Sequence, residues 1–232
     1  MIELRPHAEL GGAKHGWLDA RHHFSFADYR DPLRMHWGRL RVWNDDVIAP
    51  QSGFPMHAHR DMEIITYVRK GAISHEDSLG NRGRTLAGDV QVMSAGTGIA
   101  HSEYNQEDEP AEIFQIWIYP DQSGLPPIWG TRPFPTGERA GAFVTLASGM
   151  ADDADALPIR ADARMAAATL SAGQVAQYRI GIGRKLYLVP ATGRIEIGGL
   201  VAVAGDGVAV RDEVQLTVKA LEDSEIVLVD VR

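Results

Sequence analysis

Gly53-Phe54-Pro55-Met56-His57-Ala58-His59-Arg60-Asp61-Met62-Glu63, followed by Gly71, places two imidazoles two residues apart between glycines. On an extended strand, residues i and i+2 project to one face with Cα atoms roughly 6.6 Å apart, so His57 and His59 can converge on one ion. Downstream, Gly88-Asp89-Val90-Gln91-Val92-Met93-Ser94-Ala95-Gly96-Thr97-Gly98-Ile99-Ala100-His101-Ser102-Glu103-Tyr104-Asn105 repeats the spacing with His101 and Glu103. A lone histidine is usually a surface or hydrogen-bonded core residue, but two such pairs in a strand-rich chain point to a four-ligand metal site. Gly96-Thr97-Gly98 lacks the Lys-Ser/Thr that completes a phosphate loop and reads as a tight turn between strands.

The surrounding sequence supports strands. With 24 Gly and 12 Pro in 232 residues, a turn-rich fold suits the chain better than a helical bundle. Arg194-Ile195-Glu196-Ile197 and Val214-Gln215-Leu216-Thr217-Val218-Lys219 alternate apolar and polar residues with the period of half-buried strands. All nine histidines lie within the first 101 residues, which confines imidazole chemistry to the first half.

An offset of 120 residues pairs Gly53 with Gly173 and Tyr67 with Tyr187; small shifts then pair Gly71 with Gly193 and Gly88-Asp89 with Gly205-Asp206. The common order predicts a duplication, with similar barrels over 1–135 and 136–232. In this alignment His57 and His59 fall opposite Gln177 and Arg179, so the second half is expected to bind no metal there. The Pro-rich run from Leu125 through Pro133 and Pro135 is expected to act as a linker, and acidic 151–157 as one short helix before Pro158.

Lys and Arg number 23 against 31 Asp and Glu, a net charge of -8, and no basic block appears, which disfavours direct nucleic-acid binding. No stretch approaches the roughly 18 uninterrupted apolar residues of a membrane-spanning helix. The start, Met1 to Pro6, lacks the apolar core of a secretory signal, so a cytoplasmic protein is expected, acting as a monomer. With no cysteine in the chain, any metal must be held by nitrogen and oxygen.

The His-x-His-x3-Glu run between its glycines resembles the first cupin motif, and the His101 stretch resembles the second, modified as in pirins. Phe24-Ser25-Phe26-Ala27-Asp28-Tyr29, Val42-Trp43-Asn44-Asp45-Asp46, His75-Glu76-Asp77-Ser78 and Phe114-Gln115-Ile116-Trp117 are also pirin-like. The likeness covers nearly all of 15–120 and is looser over 136–232. It implies an all-β bicupin with few short helices: a metal-binding first cupin and a second without ligands. The ligands implied are His57, His59, His101 and Glu103. Ordinary metal cupins use a glutamate at the position of Glu63 instead. Glu63 lies roughly 13 Å along a straight strand from His59, so Glu103 is preferred and Glu63 is expected to be a supporting or ion-paired acid.

Three imidazoles and a carboxylate suit one divalent transition metal, Fe(II) first, with Mn, Ni, Co, Cu and Zn admissible. Asn44, Asp45, Gln91, Ser102 and Gln115 are candidates to orient the imidazoles. Arg21-His22-His23-Phe24 would either rim a pocket mouth or lie on a solvated loop, and its histidines are not counted as ligands. Two functions follow from the resemblance. One is a metal-dependent dioxygenase that opens a flavonol such as quercetin with O2, releasing CO, with Glu103 as ligand and base for the aromatic substrate. The other is a non-catalytic, redox-sensing regulator that acts through protein partners.

Overall fold

Glu63 through Val68 are buried at every position, although the run mixes Glu, Thr and Tyr with isoleucine and valine. A strand with both faces hidden must lie between two layers. The structure, a computed structural model, describes residues 1–134 and 136–232. The first half contains β1 (Ile2–Arg5), β2 (Gly11–His15), β3 (Leu18–His22), β4 (Leu40–Ile48), β5 (Ser52–His59), β6 (Glu63–Lys70), β7 (Ala72–Asp77), β8 (Arg82–Leu86), β9 (Val90–Ser94), β10 (Ile99–Asn105), β11 (Ala111–Ile118) and β12 (Ile128–Arg132). The second contains β13 (Val144–Ser148), β14 (Leu157–Pro158), β15 (Ala163–Leu170), β16 (Val175–Arg179), β17 (Lys185–Thr192), β18 (Arg194–Ile197), β19 (Leu200–Val203), β20 (Gly207–Arg211), β21 (Gln215–Ala220) and β22 (Ser224–Val231). Among the described residues, helix is limited to short 3-10 turns at His7–Glu9 and Thr136–Arg139, and the all-β expectation holds.

Each half pairs a seven-stranded sheet with a four-stranded one, and the strand orders match. The first half has β12-β9-β6-β11-β4-β3-β2 and β5-β10-β7-β8; the second has β1-β20-β17-β22-β15-β13-β14 and β16-β21-β18-β19. The duplication is thus visible in topology. The division at residue 135 is crossed by one element, because β1 pairs with β20 and occupies the edge that β12 occupies in the first half.

The period-two alternation of the central strands divides their side chains between two cores. Ile65, Tyr67, Phe114 and Ile116 meet Tyr187, Val189, Val227 and Val229 in one apolar layer between the barrels. On the opposite faces, the second barrel is filled by side chains such as Leu186, Leu188, Val208, Ile226 and Leu228. The first barrel instead has two small apolar clusters, one around Ile73 and Ile113 and one around Ile64 and Met93. The buried polar residues Thr66, Gln91, Glu103 and Gln115 also belong to this barrel's strands.

Two local expectations are corrected. Within the expected linker, Ile128–Arg132 forms β12, antiparallel to β9. It is an edge strand, where flanking prolines are tolerated, and the Thr131 hydroxyl donates to the Val90 carbonyl. Pro135 lies outside the described residues. Residues 151–157 form turns rather than a helix. Asp153 accepts bonds from the Ser148 hydroxyl and from Arg164, and Leu157 pairs in parallel with Ala147, so local side-chain bonding wins over helix.

Candidate metal centre

β5 and β10 are antiparallel neighbours, with His101 directly across from His57. The register then slips, and Glu103 faces Phe54 rather than Pro55. The extra residue is a β-bulge at exposed Pro55 and Met56, and it reverses the inward phase of the strand beyond it. Half-buried His57 and His59 thereby follow Phe54 on the barrel's inner side. β16 pairs with β21 without a slip. The β16 side chains that join the second barrel's core are Ala176 and Tyr178, opposite Val218 and Leu216. This shifts the 120-residue alignment by one position: Gln177 and Arg179 are exposed, and the inward residues of β21, where the first barrel has His101 and Glu103, are the buried apolar Leu216, Val218 and Ala220.

One nitrogen from each of His57, His59 and His101 lies within 4.8 Å of the other two. Ring centroids are 4.7 Å apart for His57 and His59, and 4.5 Å for His57 and His101. The His57 Nδ1 donates to the Pro55 carbonyl at 2.7 Å, so the bulge also orients the ring and leaves Nε2 with its lone pair. The Nε2 of His101 is buried without a hydrogen-bond partner among the described residues. Burial, with His57 and His75 nearby, pulls His101 down to about 3; burial, with His101 and His57, pulls His59 down to about 4. Both are therefore neutral donors at neutral pH. Three converging imidazoles, one of them with an orphaned buried nitrogen, fit a borderline divalent ion.

Glu103 is buried on the same strand as His101, two residues on. Thr66 donates to its Oε1 at 2.8 Å, as does Gln91 at 2.5 Å, and Gln115 donates to Oε2 at 2.6 Å. The carboxylate is grouped within 4.8 Å with His101 and His75, and lines the same cavity as the three clustered histidines. This cavity, of about 290 Å³, is at the small end of the range for small-molecule sites. Its aromatic wall includes Phe26 and Trp117, packed edge to face with centroids 5.4 Å apart, and Trp117 also flanks His59 at 4.9 Å. Glu63 accepts from the Ser94 hydroxyl and from the Arg160 amide, so it ties the first barrel to the second half.

Several supporting roles differ from the sequence expectation. Gln91 and Gln115 hold Glu103, and Asn44 bonds His22; none of the three bonds a clustered imidazole. Asp45 pairs with Arg69, and Ser102 lines a separate outer groove. His22 and His23 are neither a rim nor a solvated loop: both are buried, His22 against Asn44 and His23 against the Tyr187 hydroxyl. Gly96-Thr97-Gly98 is the turn between β9 and β10, with both glycines at positive φ.

Asp46, His75 and Asp77 were not picked out as site residues. Asp46 lines the cavity, and its Oδ1 is buried without a partner among the described residues. Burial, reinforced by Asp45 and Glu103, holds its carboxyl well above the usual range. The signal was period two: if Asn44 faces inward, so does Asp46. His75 and Asp77 show the same i,i+2 spacing on β7, next to β10.

Two barrels of one strand order, with a histidine cluster inside the first, define a bicupin with a metal-type centre. A family model for pirin matches residues 3–118, and one described as the quercetinase C-terminal cupin domain matches 145–231. The chain belongs to the pirin family. The pirin-like protein of Caulobacter vibrioides is 63% identical over 230 residues, 99% of each chain. The quercetin 2,3-dioxygenase of Escherichia coli K12 is 41% identical, covering 99% of this chain and 98% of the relative. The crystal structure of the bacterial pirin YhhW of Escherichia coli in complex with nickel(II) superimposes with a TM-score of 0.93, at 40% identity over 100% of this chain and 99% of that one.

Proposed function

We propose that the first barrel is the active site of a dioxygenase that opens a flavonol of the quercetin type with O2 and releases CO. The observation carrying this reading is the placement of Glu103, a buried carboxylate held by three neutral donors, in one aromatic-walled cavity with three converging imidazoles. The quercetin 2,3-dioxygenase names carried by relatives at 41% and 57% identity agree with it. His57, His59 and His101 hold one divalent metal, with Glu103 as the fourth ligand; Fe(II) suits the donor set, and nickel(II) is the ion bound by the solved relative.

When bound, the ion supplies Lewis-acid and electron-transfer chemistry for an oxygen-bearing substrate. Glu103 accepts the proton of the flavonol 3-hydroxyl, with Thr66, Gln91 and Gln115 fixing its carboxylate so that it need not reorganise. Asp46, whose carboxyl burial holds well above the usual range, faces the substrate from another wall of the cavity. Phe26, Phe54 and Trp117 bind the flat aromatic rings and exclude water from the reacting atoms.

Oxygen uptake with quercetin, measured on protein of known metal content, tests this reading. The expected result is O2 consumption matched by CO release and abolished by chelation. Absence of uptake with every flavonol tried would contradict it and favour a regulatory metal protein.

A further inference from the structure

The ligand set leaves one member of the buried cluster without a role. His75 on β7 lies directly across from Glu103 on β10, and its side chain and that of Asp77 are fully buried. The His75 Nε2 is 3.2 Å from the Asp77 Oδ2. Burial alone would raise the Asp77 carboxyl, but bonds from the Asn81 side chain, from His75 and from the Asn81 and Leu79 amides outweigh it and hold it below the usual range. An ionised carboxylate only accepts, so the His75 hydrogen sits on Nε2 and its lone pair on Nδ1.

That Nδ1 faces the His101 Nδ1 at 3.5 Å, the outer limit of a hydrogen bond. Two bare lone pairs would repel, so His101 must donate from its Nδ1. Its own lone pair is then on Nε2, the buried nitrogen that has no partner among the described residues. The plane of His75 is set by Trp129, which stacks on it at 4.8 Å and 11°. Carboxylate, imidazole and imidazole thus form a chain ending at the metal-type centre.

We propose that Asp77 and His75 are a positioning pair that fixes the tautomer and ring orientation of His101, so that its Nε2 lone pair is presented to the ion. The proposal rests on His57, His59 and His101 being ligands. The other arrangement of these groups, with His75, His101 and Glu103 holding a second ion, predicts a different stoichiometry.

Nitrogen-15 imidazole spectra of the metal-free protein, with Ni(II) titrations of wild type, His75→Phe and His75→Asn, test it. Phenylalanine keeps a flat ring against Trp129 but removes the acceptor; asparagine returns an acceptor oxygen near the place of Nδ1. The wild type is expected to show His101 as the Nδ1–H tautomer. His75→Phe should lose that signature and weaken Ni(II) binding about 10- to 100-fold, the usual scale for an outer partner of a ligand, while His75→Asn should recover most of both. If the phenylalanine variant does not fold, Asp77→Asn leaves the His75 ring in place and should weaken binding by about tenfold. An Nε2–H tautomer in the wild type, wild-type affinity in His75→Phe, or loss of a second Ni(II) equivalent in that variant would each overturn the proposal. A wild type that takes up no Ni(II) would remove the ligand reading and this inference together, and shows itself before any variant is made.

Discussion

At the scale of single residues, the proposed reading turns on Glu103. If its carboxylate accepts the substrate proton, Glu103→Gln lowers turnover by about 10²-fold or more while the three imidazoles retain metal. Glu63→Gln should keep both metal and rate, because Glu63 bonds Ser94 and the Arg160 amide. Rate and metal content measured together check both outcomes. The clustered histidines also give the metal-free protein a pH signature. Folded, His59 and His101 are pulled down to about 4 and about 3, against an ordinary value of 6.5 when unfolded. Below 6.5 the unfolded chain therefore binds more protons, so their contribution leaves stability at its full value above that pH and erodes it as pH falls towards 4. Thermal melts should show the midpoint falling by a few degrees between pH 7 and 5, and falling less in His101→Gln; equal slopes would contradict the assignment. His57, His59, His101 and Glu103 were legible because i,i+2 spacing alone marks a strand pair. Asp46 and the pair His75 and Asp77 were less so, since their value depends on which strands become neighbours.

At the scale of elements, the β5 bulge absorbs one extra residue so that the histidines point inward. Deleting exposed Met56 would remove the extra residue at little packing cost: Pro55 alone would then face Ser102, and His57 and His59 would keep their inward phase in a regular strand. The expected outcome is a folded protein by circular dichroism that retains most of its metal by elemental analysis; loss of most of the metal from the folded variant would show that the histidines had not kept that phase. A bulge is one unmarked residue in sequence, which is why a constant offset misplaced the counterparts of His57 and His59 by one position. The linker expectation failed for a related reason. Proline density does distinguish an edge from a central strand, but Ile128–Arg132 becomes a strand only because β9 offers an open edge.

At the scale of the whole molecule, one barrel is filled with aliphatic side chains while its duplicate keeps a polar interior, and the two share an apolar layer. The duplication and the all-β class were legible from ordered glycines and alternation, whereas the exchange of β1 into the second half's sheet was not, because four residues carry no signal of so distant a partner. Since neither the second barrel nor the shared layer involves the clustered histidines, exhaustive chelation should leave the β signal in circular dichroism intact and lower the melting midpoint only modestly. Loss of most of that signal would mean the ion is structural. The central claim is that a single ion is held in the first barrel by its clustered histidines, and elemental analysis of wild type, His57→Ala, His101→Ala and Gln177→Ala tests it most directly. Near-unit stoichiometry in wild type and in Gln177→Ala, with a steep loss in both histidine variants, is the predicted result; two ions per chain, or full retention in both histidine variants, would contradict it.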